Sequence, residues 1–190
     1  MRKSTLSQQL EKIVSTFSID TISVEMTNET ARTYEDTIQL LVVPRNSIPT
    51  KSLFDHIDLG RRDANTWFLE EKYFYDIVET PSTPYVLHAV DVSDWFMAPF
   101  RNSYDFSESG RPLTFHEVVT LAFQCTDLLN EKISGMQAYG SRFTKRDVRN
   151  PTIDDTLEIY RKGNPGNGFL KLAREFHRYD ECTKIIPRTR

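Results

Sequence analysis

The residue types best able to do chemistry gather at a few places in the chain. The first is Tyr139-Gly140-Ser141-Arg142. An arginine fork beside the amides of a glycine and a serine can clamp an anion, and the same arginine can hold the turn by bonding a carboxylate. Both readings stand. Gly140 signals a positive φ or a close backbone approach. Ser141 is not a nucleophile elbow, which needs Gly-x-Ser-x-Gly. The second place holds His177, Asp180 and Cys182. These types can form a Cys–His site or bind a metal, but the paired ligand spacing of zinc sites is absent. The third is the run of glycines at 163, 166 and 168. No Gly-Lys-Ser/Thr follows them and their flanks read as strands, so a hairpin loop fits better than a phosphate loop. His88 reads as a core or sheet-face histidine. No catalytic residue, metal site or cofactor is assigned, and the candidate ligand-binding set is Tyr139, Gly140, Ser141, Arg142 and His177.

The element that must position this set is the helix before it. Thr114 and Glu117 form a capping box: the hydroxyl accepts from the Glu117 N–H, and the carboxylate reaches back to the Thr114 N–H. Leu113 and Val118 occupy the hydrophobic-staple positions. Phe115, Val118, Ala122, Cys125 and Leu129 recur at helical spacing, with His116, Thr120, Gln124 and Asp127 opposite. The pattern predicts an amphipathic helix of about four turns, ending between Asn130 and Gly135.

The stretch from Arg111 to Leu129, with Gly135 to Phe143 after it, resembles a bacterial family known only as a domain of unknown function and frequent in actinobacteria. That family shows a Pro-Leu-Thr-x-x-Glu helix, then a connector and a turn ending Gly-Ser-Arg. Thr83–Val92 and Ile38–Pro44 resemble its strands, and 155–166 its hairpin, so the likeness runs over about Ile38 to Gly168. It implies a shared fold, and the family has no agreed catalytic residues to carry over.

A second capping box, Thr5 with Gln8, opens a helix over Ser4–Phe17 whose apolar stripe is Leu6, Leu10, Ile13 and Phe17. Ile19–Met26 alternates as a half-buried strand. Ile38–Val43 is nearly all apolar and reads as a central strand ended by Pro44. Ser52–His56 is a short helical turn. Thr66–Val78 suits a helix through Leu69, Tyr73 and Ile77, although Tyr73, Tyr75 and Ile77 also fit a strand. Tyr85–Val92 is a strand. The aromatic loop Ser93–Gly110 either folds over the core or forms a binding lip. Thr156–Tyr160 and Phe169–Phe176 are the arms of a hairpin.

At 190 residues, 38% of them hydrophobic, the chain is long enough for one globular domain. The expectation is an α+β domain with a mixed or mainly antiparallel sheet packed by amphipathic helices, and with residues 178–190 as an exposed tail. No apolar run approaches the ~20 residues that span a membrane, and the N-terminus leads into an amphipathic helix, so a cytoplasmic protein is expected. Two cysteines, Cys125 and Cys182, suit that compartment. Residues 1–141 carry 12 Lys+Arg against 20 Asp+Glu, and residues 142–190 carry 12 against 7. The basic part either packs on the acidic body or binds nucleic acid or another anion, and its interleaved acids weigh against nucleic acid. The best expectation is a non-enzymatic module binding a small molecule or a protein. The alternatives are an enzyme acting on a small anion through Arg142 and His177, and nucleic-acid binding by the basic C-terminal part.

Overall fold

A computed structural model describes residues 4–19, 37–57, 74–90, 111–125, 135–138, 140–143, 157–162, 169–173, 184–185 and 189. In chain order its elements are α1 (Leu6–Phe17), β1 (Thr37–Val42), α2 (Thr50–Asp55), β2 (Phe74–Asp76), β3 (Tyr85–Val90) and α3 (Phe115–Gln124). Then come β4 (Gly135–Ala138), β5 (Ser141–Phe143), β6 (Leu157–Lys162), β7 (Phe169–Ala173) and β8 (Lys184–Ile185). The fold is α+β. β1 pairs antiparallel with β3, β2 antiparallel with β5, and a four-stranded sheet runs β7-β6-β4-β8 with β4 and β8 parallel. The hairpin of β6 and β7 forms in the expected register region, with Lys162 opposite Phe169.

Both capping boxes form as the spacing requires: Thr5 with Gln8 at α1, and Thr114 with Glu117 at α3. The staple residues Leu113 and Val118 are fully buried. α3 is shorter than its pattern suggests, closing at Cys125 after ten residues. It is also not amphipathic in effect. All ten residues are buried, including His116, Thr120 and Gln124 on the side expected to face water. The reason is packing on several sides at once, because α3 touches α2, β1, β4 and β6. A polar residue survives there only if it is hydrogen-bonded. His116 Nε2 lies 2.6 Å from the Val43 carbonyl, so that nitrogen carries the proton, and Nδ1 lies 2.9 Å from the Thr50 hydroxyl. The Thr120 hydroxyl donates to the His116 carbonyl.

Two further expectations are corrected. Over residues 74–76 the chain is strand, not helix. Phe74 is buried, Tyr75 is exposed and Asp76 is turned inward, a period of two. Phe74 meets Phe115 edge to face at 5.4 Å, and pairing with β5 overrides the helical spacing. Nor are residues 178–190 simply an exposed tail. β8 pairs with β4, and the Thr189 N–H donates to the Arg111 carbonyl at 2.8 Å while its hydroxyl accepts from the Arg111 N–H. The expected strand 19–26, the aromatic loop 93–110, Tyr139, His177 and Cys182 lie outside the described residues, except for Ile19.

β1 is buried as expected, but among the described residues it pairs with β3 alone. Its other edge is met by a side chain. Gln9, fully buried on α1, donates through Nε2 to the Gln39 carbonyl at 2.7 Å and accepts through Oε1 from the Leu41 N–H at 2.9 Å. One carboxamide thus stands in for the peptide group of a neighbouring strand, satisfying two backbone groups that burial would otherwise strand. Gln124 on α3 donates to the Gln9 carbonyl at 3.3 Å, which joins the two helices at this point. Gln9→Leu preserves the volume and removes both bonds. It is expected to cost at least ~2 kcal/mol in urea unfolding. A change within ~0.5 kcal/mol would mean that other groups satisfy this edge.

Candidate functional site

The site begins at the entrance to α3. Glu117 is fully buried and each carboxylate oxygen accepts two hydrogen bonds. Oε2 accepts from the Thr114 N–H at 2.7 Å and from Arg111 Nη1 at 2.8 Å. Oε1 accepts from Arg111 Nη2 at 2.5 Å and from the Tyr85 hydroxyl at 2.6 Å. The arginine is therefore a bidentate fork on the carboxylate, in the geometry that makes such pairs strong. Burial by itself pushes the Glu117 carboxyl up, but the bonds and charge of Arg111, then Tyr85 and the Thr114 N–H, outweigh it and hold the group below the usual carboxylate range. Burial and the Glu117 charge push the Tyr85 phenol far above its ordinary value, so it remains a donor. The capping-box carboxylate was legible in the sequence. Arg111 and Tyr85 were not, since neither lies at a recognised spacing from it.

The expected turn docks directly on this entrance. The Gly140 N–H donates to the Leu113 carbonyl at 2.9 Å, and its own carbonyl accepts from the Ile77 N–H at 2.9 Å. A Cβ on Gly140 would lie 2.7 Å from the Leu113 carbonyl group and 2.8 Å from the Thr114 nitrogen. Close approach is the reason for glycine here. Ser141 is fully buried, accepting from the Phe115 N–H at 2.7 Å and donating to Asp76 Oδ1 at 2.6 Å. It thus caps an orphan donor of the α3 N-terminus and ties β5 to β2. Arg142 is half-buried, with Nη1 donating to the Ser141 carbonyl at 3.0 Å. So Gly140, Ser141 and Arg142 lie together, with the Gly140 amide and the Ser141 hydroxyl already bonded within the protein.

Beside this assembly opens a cleft of about 230 Å³, lined by Pro44, Arg45 and Asn46 after β1, Thr80–Ser82 and Tyr85 around the start of β3, Asp76 on β2, and Thr114 and His116 on α3. Arg45 Nη1 stands 3.7 Å from Asp76 Oδ2, and its guanidinium lies 6.0 Å from the centre of the Phe74 ring. The Arg45 side chain is 45% exposed and that of Asp76 16%. A separation of 3.7 Å is too long for a hydrogen bond. Sequence reasoning missed Arg45 and Asp76. Asp76 had a signal: with Phe74 read as an inward strand residue, period two turns Asp76 inward as well. Among the described residues no cluster of His, Cys, Asp and Glu could hold a metal, and no helix is long and apolar enough to cross a membrane.

The folded-state pKa of Glu117 lies below its unfolded value. Its contribution to stability is therefore complete above the ordinary carboxylate range and is lost as pH falls through and below it. Glu117→Gln is expected to lower stability at neutral pH by about 3 kcal/mol, the low end for breaking a buried pair because Arg111 keeps 30% of its side chain in water. It should also flatten the acid limb of the pH–stability curve between about pH 5 and pH 3. Urea midpoints measured across that range test both effects. A parallel acid limb in the variant would remove Glu117 as its source.

No protein-family model matches the chain, and neither the curated proteins nor the solved structures contain a match to it.

Proposed function

We propose that the chain is a non-enzymatic binding module whose ligand site is the cleft beside the α3 entrance. One contrast carries this reading. The groups with catalytic potential around the cleft hold the fold together: Glu117 by four donors, His116 between Val43 and Thr50, and Ser141 between Phe115 and Asp76. Arg45 and Asp76 also line the cleft, and the ion pair between them, at 3.7 Å, is too long to be a hydrogen bond. A cleft smaller than the ~300–1,000 Å³ typical of drug-sized ligands suits a small metabolite. A cytoplasmic setting and membership of the uncharacterised bacterial family, resembled over Ile38–Gly168, belong to the same proposal. The enzyme reading needs Arg142 and His177 in one pocket, and the nucleic-acid reading draws on the basic charge of residues 142–190. Neither gains support from the described geometry.

A thermal-shift screen of metabolites, nucleotides, metals and short nucleic acids, at low and high salt, tests the proposal. A ligand at a hundred times its Kd adds about 2.7 kcal/mol, which for a chain of this size raises Tm by roughly 5 °C or more. The expected hit is small, survives salt, disappears in Arg45→Ala and persists in Arg142→Ala. Loss in Arg142→Ala alone would return the site to the 139–142 turn. A shift confined to nucleic acid and abolished by salt would move the function to the basic C-terminal part. No shift with any compound would leave protein interaction, with Tyr75 and Ile77, each about half exposed, as the contact surface.

A further inference from the structure

We infer that the cleft selects a small zwitterion of the free amino-acid class, its carboxylate on Arg45 and its ammonium group on Asp76 Oδ2. This rests on the cleft being the binding site. The argument is one of charge and of free valence. Asp76 is fixed, because Oδ1 already accepts the Ser141 hydroxyl at 2.6 Å. Its second oxygen forms an ion pair with Arg45 Nη1, 3.7 Å away, and both residues line the cleft. Asp76 is thus an anchored acceptor ion-paired with Arg45, and at 3.7 Å the pair is too long to be a hydrogen bond, so among the described residues the donors of the Arg45 fork make no hydrogen bond to it.

A simple anion placed on Arg45 would lie close to the Asp76 carboxylate, and the repulsion would cancel much of the attraction. A simple cation on Asp76 would meet the same difficulty from Arg45. A molecule carrying both charges on adjacent atoms satisfies both groups and keeps the cleft neutral. The guanidinium matches a carboxylate with two parallel bonds, and an ammonium group needs only the acceptor that Asp76 Oδ2 supplies. The small volume excludes most ligands larger than a single such unit. Asn46, Thr80 and Ser82 also line the cleft, residues able to meet a polar ligand side chain.

The test is calorimetric titration of the full chain with the twenty free L-amino acids, then, for each that binds, its N-acetyl derivative and its carboxamide. At least one free amino acid is expected to bind, with both derivatives weakened tenfold or more. Arg45→Gln and Asp76→Asn should each weaken the parent compound by a similar factor. Asn at position 76 keeps an acceptor for Ser141, so that variant is expected to fold, and an unchanged circular-dichroism melt verifies it. Equal binding of the N-acetyl derivative, or full affinity in Asp76→Asn, would overturn the zwitterion and leave a carboxylate site on Arg45. Failure of every amino acid, together with an Arg45-dependent hit of another class in the wider screen, would overturn the zwitterion while the cleft stands. Failure of every compound would overturn both.

Discussion

A carboxylate with no contact to water must be met by donors on every side, and that demand at Glu117 organises the centre of this protein. Thr114 supplies one donor from the helix it caps, Tyr85 one from β3, and Arg111 two from the segment leading into the helix. Arg111 is in turn held through its backbone by Thr189. A local capping device has become the junction of three separate parts of the chain. Swapping a buried pair for apolar residues is often neutral, so the arrangement is weak evidence for extra stability. What it does supply is registration. Four donors with fixed directions admit one placement of β3 and of residue 111 relative to α3.

The same logic repeats at lower charge. Gln9 stands where a strand would, and Ser141 stands where a helix N-cap partner would. Gln124 bonds the Gln9 carbonyl through Nε2, while its Oε1 has no partner among the described residues. In each case a side chain replaces a backbone partner in a buried setting. Such substitutes are directional, and they weigh most where the strand pairing is short. β2 and β5 pair over three residues each, too few to hold a register by ladder bonds alone. The Ser141–Asp76 bond and the Gly140–Ile77 bond fix that pair from its end.

How much of this was legible in the sequence follows from the range of each interaction. Capping boxes are complete within four residues, and both formed as read. The apolar run Ile38–Val43 and the strand expected over Tyr85–Val92 correspond to the paired strands β1 and β3, and the expected hairpin arms Thr156–Tyr160 and Phe169–Phe176 to the paired β6 and β7. The errors lie where a long-range partner decided the outcome. Residues 74–76 followed β5 and Phe115 in place of their helical spacing. The polar side of α3 was assigned to water because periodicity cannot tell a solvated face from one covered by another element. Of the two readings of Gly140, a positive φ or a close backbone approach, the approach is the one that holds, while the purpose of Ser141 depends on Asp76, 65 residues earlier. Arg45 and Asp76 escaped because no motif joins them, and they meet only through the fold.

The cleft and the core are consequently not independent. Arg45 follows two residues after Val43, whose carbonyl is held by His116 in the first turn of α3. Asp76 is held by Ser141, which also receives the N–H of Phe115 from that same turn. The two charged groups of the cleft therefore arrive on different segments, the turn after β1 and the end of β2, yet both trace back to adjacent residues of one helix. Asp76 is thereby fixed by hydrogen bonds that start at α3, while the Arg45 side chain, 45% exposed, keeps more freedom. The cap that starts α3 and the placement of the cleft's charges are, in this protein, parts of one hydrogen-bonded assembly.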